Sequence, residues 1–155
     1  MQLLTVGSVA FDAIETPFGK SDKIVGGAGT YISLAASFFN RNQALVSVVG
    51  EDFPTAVLDG MVNRGIDIRG IQIPEGGKTF FWAGKYHNDM NSRDTLVTEL
   101  NVLGTFDPVV PMEYRNAPFL MLGNLSPDVQ RKVVEQMEVR PKLIAMDTMN
   151  FWMDI

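Results

Sequence analysis

Two kinds of hydrophobic pattern alternate along this chain, and they predict two different kinds of structure. Residues 3–7 form a short apolar run closed by Gly7-Ser8, the pattern of a buried strand. Tyr31, Leu34, Ala35 and Phe38 then recur at helical spacing and predict a helix from Thr30 to about Asn40. Residues 44–50 are valine-rich and predict a second buried strand. Pro54 suits a first helical turn, Val57, Leu58, Met61 and Val62 continue the helical spacing, and Gly65 ends it. Later, residues 119–122 read as a strand, residues 127–137 as a helix capped by Ser126, and residues 143–146 as a further buried strand before Asp147. Strands alternating with helices predict an α/β fold with a doubly wound, mainly parallel sheet.

The middle of the chain departs from that pattern. Residues 66–73 alternate apolar and polar, as a half-exposed strand does. Gly76-Gly77 makes a turn, residues 78–86 and 95–100 read as further strands, and residues 87–92 form a polar loop between them. Short extended pieces also flank the turn at residues 19–22. Together they predict a small antiparallel β lid, with segments at about 12–25 and 66–100, standing apart from the buried strands.

Composition narrows the class. A chain of 155 residues fits one domain with a real core. A net charge of −5 argues against non-specific nucleic-acid binding, which needs a basic face. Without cysteine there are no disulfides or thiolate metal sites, which suits a reducing, cytoplasmic compartment. No apolar run approaches the roughly 20 residues of a membrane span, and the N-terminus is too short and uncharged for a signal peptide. The final residues, Asn150-Phe151-Trp152-Met153-Asp154-Ile155, include large apolar side chains, Phe151, Trp152, Met153 and Ile155, that want a partner. The chain is therefore expected to be part of something longer.

The sharpest chemical feature is Gly26-Gly27-Ala28-Gly29, which runs straight into a helix. It is either a tight strand-to-helix turn or a corner that brings backbone N–H groups to a hydroxyl or phosphate. It lacks the six-residue spacing of a dinucleotide fingerprint and the Gly-Lys-Ser/Thr of a Walker loop. Asp12 is either a solvated loop aspartate or an acceptor for two sugar hydroxyls. Asn124, Asp147 and Asn150 follow predicted strand ends, where α/β proteins bind ligands, and are equally readable as loop caps. Glu51 and Asp52 fit the start of a helix better than acid–base work. His87, the single histidine, fits a solvated loop. Phe80, Phe81, Trp82 and Tyr86 either cover a ligand or pack a strand or subunit interface.

In order and spacing these features resemble the ribokinase-like (PfkB) carbohydrate kinases. Val6-Gly7-Ser8 followed by Asp12 resembles that family's first strand and sugar-binding aspartate. Gly26-Gly27-Ala28-Gly29 resembles its glycine-rich substrate corner. Val49-Gly50-Glu51-Asp52-Phe53, with Arg64-Gly65-Ile66-Asp67 after a helix, resembles its second βα unit, and Lys78-Thr79 its threonine-bearing lid strand. Asp147-Thr148-Met149-Asn150 resembles its Asp-x-Asn stretch. The chain differs at Ala10 and Tyr31, where many members carry asparagine, and at Ala28, where ribokinase proper carries lysine, so the sugar-contact set is altered.

The resemblance implies an N-terminal half. Residues 1–155 would supply the acceptor site, with Asp12, Gly26, Gly27, Gly29, Asn124 and Asn150 as substrate-binding residues, together with the lid. It implies ATP and Mg2+ as cofactors and a sugar or nucleoside as acceptor. The catalytic residues and the nucleotide-binding half are expected beyond Ile155, no metal ligand is expected among the residues present, and the chain alone is expected to be inactive. A homodimer through the lid is a further expectation. The alternative reading is a non-catalytic binding or assembly module that uses its lid sheet to oligomerise.

Overall fold

The computed structural model describes residues 2–153. The chain runs β1 Leu3–Val6, β2 Ala10–Thr16, β3 Gly19–Gly26, α1 Ala28–Ala36, β4 Gln43–Val48, α2 Thr55–Asn63, β5 Ile66–Gln72, β6 Phe81–Tyr86, β7 Arg93–Glu99, β8 Phe119–Leu122, α3 Pro127–Glu135, β9 Leu143–Met146 and α4 Asn150–Met153. Five strands form a parallel sheet in the order β5-β4-β1-β8-β9. The other four form a second sheet in the order β3-β2-β6-β7.

Burial explains the centre of the parallel sheet. Leu4, Val6, Ala44, Leu45 and Val46 are fully buried, because both faces of β1 and β4 are covered. On one face Leu4, Val6, Ala44 and Val46 pack with Phe106, Val110, Tyr114, Leu120 and Val133. On the other, Leu45 packs with Val9, Phe11, Phe53, Leu58, Met61 and Ile66. Ser126 caps α3 as the sequence predicts, its hydroxyl accepting from the Val129 N–H. Pro127 follows at the first turn, Asp128 complements the positive end of the helix and Lys132 the negative end.

The second sheet is the lid, built from two antiparallel hairpins, β2–β3 and β6–β7, joined by parallel pairing of β2 with β6. Residues 66–73, expected in the lid, lie elsewhere. Ile66–Gln72 pairs in parallel with β4, from Gln43↔Ile66 to Val48↔Gln72, at the edge of the five-stranded sheet. An edge strand is covered unevenly: Ile66 and Gly70 are buried while Arg69 is exposed. The apolar–polar alternation that predicts a half-exposed strand is satisfied there, in the main sheet.

Strand β9 forms where expected, but it is not buried. All four of its residues are exposed, with Leu143 and Met146 each 60% accessible, since β9 is an outer strand paired with β8 alone. Phe151 is also exposed. The expectation about the packing of Ile155 lies outside the described residues.

Candidate functional site

Parallel pairing puts the ends of β1, β4, β8 and β9 on one edge of the sheet. The chain winds outward from β1 through β4 to β5, then returns to β8 beside β1 and continues to β9. The winding reverses between β1 and β8, and the crevice beyond such a reversal is where open α/β sheets take ligands. Gly7-Ser8 and Gly123-Asn124 border it.

The glycine corner packs against this edge, backbone on backbone. A Cβ on Gly29 would lie 2.7 Å from the Gly7 carbonyl oxygen, and one on Gly7 would lie 2.7 Å from the Gly29 nitrogen. Gly27 has φ +96° and directly precedes α1. The first N–H groups of α1 are already taken: Ala28 donates to Ser8 Oγ (3.1 Å), Gly29 to Ser8 O (2.8 Å) and Tyr31 to Gly27 O (3.3 Å). Thr30 closes the turn, donating from its hydroxyl to Gly26 O at 2.8 Å. The corner is the tight strand-to-helix turn of the first sequence reading, and the N–H groups at the start of α1 are bonded within the protein. The turn joins Gly26, at the end of the lid strand β3, directly to α1, with helix-start donors held by Ser8.

Asp12 completes the corner. Strand β2 leaves the crevice edge and pairs with β3 so that Ala10 faces Gly26 and Asp12 faces Ile24. The Asp12 carboxylate lies directly over Gly26, where a Cβ would collide with it. Burial pushes its pKa above the usual carboxylate value, and no protein donor offsets that among the described hydrogen bonds. A half-buried carboxylate without a donor is a ready acceptor for ligand hydroxyls.

The other sequence candidates divide. Asn124 stands at the crevice, its Oδ1 accepting from Trp152 Nε1 at 2.8 Å. Asn150 begins α4 and is exposed beyond β9. Gln130, which carries no sequence signal beyond its place in a helix, is 4% exposed and donates to both Gly123 O (3.0 Å) and Asp147 O (2.9 Å). It clamps the loops after β8 and β9 together.

Asp52 does something neither sequence reading proposed. Its Oδ1 accepts from the Thr79 N–H (2.8 Å) and the Thr79 hydroxyl (2.7 Å), and the same hydroxyl accepts from the Gly50 N–H (2.9 Å). Lys23 Nζ approaches its other oxygen at 3.9 Å. Burial alone would raise the Asp52 pKa, but the Thr79 donors and Lys23 outweigh it and hold it below the usual value. Asp52 thus ties the β4 loop to both hairpins of the lid. No local pattern reveals it, because Asp52 and Thr79 lie far apart in sequence.

His87 sits at the lid tip, its Nε2 3.0 Å from Asp94 Oδ2, away from the crevice. Phe11 and Phe81 line a hollow of about 450 Å3 with Lys23, Asp52 and Thr79 on the lid face opposite Asp12. Trp82 lies on the Asp12 face, as the Cα partner of Asp12. No three His, Asp or Glu side chains gather into a metal-holding cluster among the described residues. No helix among them is long and apolar enough to cross a membrane.

Comparison with known proteins agrees with this architecture. No family model matches the chain. It is 29% identical over 139 residues to a cytidine kinase of Thermococcus kodakarensis, covering 89% of this chain and 49% of that protein. The nucleoside kinase of Methanocaldococcus jannaschii, an archaeal member of the ribokinase family, superposes with a TM-score of 0.72 at 20% identity, over 95% of this chain and 52% of that one. The ribokinase of Cryptococcus neoformans in complex with ADP superposes with a TM-score of 0.65 at 18% identity, over 84% and 44%. The chain spans about half the length of the relatives it matches. The chain therefore carries the ribokinase-like fold, over about half the length of the proteins it matches.

Proposed function

We propose that this chain supplies the acceptor-substrate site and the lid of a kinase that phosphorylates a hydroxyl of a sugar or nucleoside with ATP. The observation that carries the reading is the donor-free Asp12 carboxylate over Gly26, beside the crevice where the sheet reverses direction. An ionised carboxylate there accepts from two neighbouring hydroxyls and fixes which hydroxyl is presented. Closure of the lid excludes water from the acceptor. ATP with Mg2+ supplies the phosphoryl group in this reading. Among the described residues, the helix-start donors of α1 that would suit a phosphate are occupied by Ser8 and Gly27. The reading therefore assigns the nucleotide to the remainder of the parent protein, and the chain alone is inactive.

The test is a survey of acceptor-dependent ATP turnover by the full-length protein, using pentoses, hexoses and nucleosides. Turnover with at least one of them, and none by residues 1–155 alone, is the expected result. Absence of turnover with every acceptor overturns the kinase reading.

A second reading, association through the lid, rests on one observation. Every residue of β7 is exposed, including Leu96 and Val97, and β7 is the outer strand of its sheet. Sedimentation of the full-length protein should show a dimer that Leu96→Lys weakens. An unchanged sedimentation coefficient in the variant removes this reading.

A further inference from the structure

The lid face that carries Asp12 also carries an aromatic side chain, Trp82. Asp12 and Trp82 are Cα partners across the parallel β2–β6 pair, and Ile14 pairs with Gly84 one step further. Cα partners point to the same face, so Asp12, Ile14, Trp82 and Gly84 share it, joined by Ile24 from β3 and Thr98 from β7. The Trp82 ring folds down over Gly84, where a Cβ would collide with its six-membered edge. Its Nε1 donates to Thr95 Oγ1 at 3.3 Å, and the Arg93 guanidinium stands 6.0 Å from the ring centroid. Glycine beneath, a hydrogen bond at the edge and a cation over the ring hold the indole in place. Trp82 remains half-exposed.

We infer that the acceptor is a nucleoside, whose ribose hydroxyls bind Asp12 and whose base stacks on Trp82. The inference rests on the reading of Asp12 as the acceptor site. Gly84 lies two residues beyond the level of Asp12, roughly 6.6 Å along the strand. A furanose and the base it carries span a comparable distance. A free pentose would reach Asp12 but would present no π-face to the ring. An aromatic base would use both, and the stacking is tolerant of base identity because every base has a π-face. Ile14 and Ile24 supply apolar flanks.

The test is calorimetric titration of the full-length protein with cytidine, adenosine and D-ribose. Trp82→Ala is expected to weaken both nucleosides about ten-fold and to leave ribose unchanged. Trp82→Phe keeps a π-face and should retain most of the affinity. Gly84→Ala leaves Trp82 in place but lifts its ring, and should weaken nucleosides selectively. Unchanged ribose binding in each variant doubles as the check on folding. Nucleosides binding no tighter than ribose to the unaltered protein, or equal losses for ribose and nucleosides in Trp82→Ala, overturn the inference while leaving the acceptor site standing. Asp12→Asn separates the two ideas. It should weaken ribose and nucleosides alike, and if it weakens neither, the acceptor reading falls and this inference with it.

Discussion

The carboxylate of Asp12 occupies the space that a Cβ on Gly26 would need. The two residues lie 14 apart in sequence and are brought together by the β2–β3 pairing. Gly26→Ala is therefore expected to displace Asp12 without removing it. Hydrogen bonds to a charged group contribute about 1.5–3 kcal/mol, so the acceptor KM should rise about ten-fold or more. Steady-state kinetics of the full-length protein will show this. A variant with unaltered KM would mean that Asp12 does not hold the acceptor.

Asp12→Asn should cost binding and add stability. Burial raises the Asp12 pKa above its ordinary value of 3.8, so keeping it ionised in the folded state costs free energy at neutral pH. A raised folded pKa contributes stability at pH values below about 3.8, and that contribution is lost as pH rises through the folded value. The melting temperature of Asp12→Asn should exceed that of the unaltered protein at pH 7, and the gap should close on acidification. An equal or lower melting temperature at pH 7 would contradict the desolvated carboxylate.

Thr79→Val should loosen the lid at its base. It removes the hydroxyl shared by Asp52 and Gly50, and it leaves the Gly50 N–H without that partner. A loss of about 2–3 kcal/mol is expected in denaturant titrations, given that Thr79 is 2% exposed. Thr79→Ser keeps the hydroxyl and should recover most of it. Equal stability of the valine and serine variants would show that packing, not hydrogen bonding, matters at this position.

Acid should release a second tie. The Arg69 hydrogen bonds to Asp67 hold that carboxyl at about 2, below its ordinary value of 3.8. A depressed folded pKa gives stability that is present above about 3.8 and lost as pH falls towards 2. Because the pair is partly exposed, Asp67→Asn should cost only about 1 kcal/mol at pH 7. Chemical denaturation at pH 7 and pH 2.5 should show the difference between the two proteins shrinking. A constant difference would contradict the ion pair as its source.

Ligand should reach the lid before the main sheet. Amide exchange in β2, β3, β6 and β7 is expected to slow when cytidine or ribose binds, while β5 stays unchanged. Residues 66–72 are the informative control, since the sequence pattern alone groups them with the lid. Protection of β5 with no change in β6 would reverse this assignment.

The parallel strands and helices were legible because their periodicity reports burial, and burial is what the fold imposes on them. Residues 66–72 misled for the same reason. Uneven cover at a sheet edge yields the alternation of a half-exposed strand, whichever sheet the strand joins. Residues 143–146 are apolar enough to read as buried, yet their exposure depends on neighbours that composition does not record. At the site, type and spacing left Asp12 and the glycines open between a solvated aspartate with a tight turn and a ligand corner, and the resemblance to the ribokinase-like kinases singled them out. The Asp52–Thr79 tie, the Gln130 clamp and the pairing of Asp12 with Trp82 are long-range contacts. They depend on register between strands, and no local window contains that.

The lid is continuous with the main body at four places: before β2, after β3, before β6 and after β7. A plate joined at a single point can swing and twist in any direction. One joined four times along its root resists twisting and sliding, and a rocking motion about that root is the easiest left to it. Asp12 and Trp82 would then travel together as one rigid jaw, so closure would bring the charge and the aromatic ring to a ligand in a single movement.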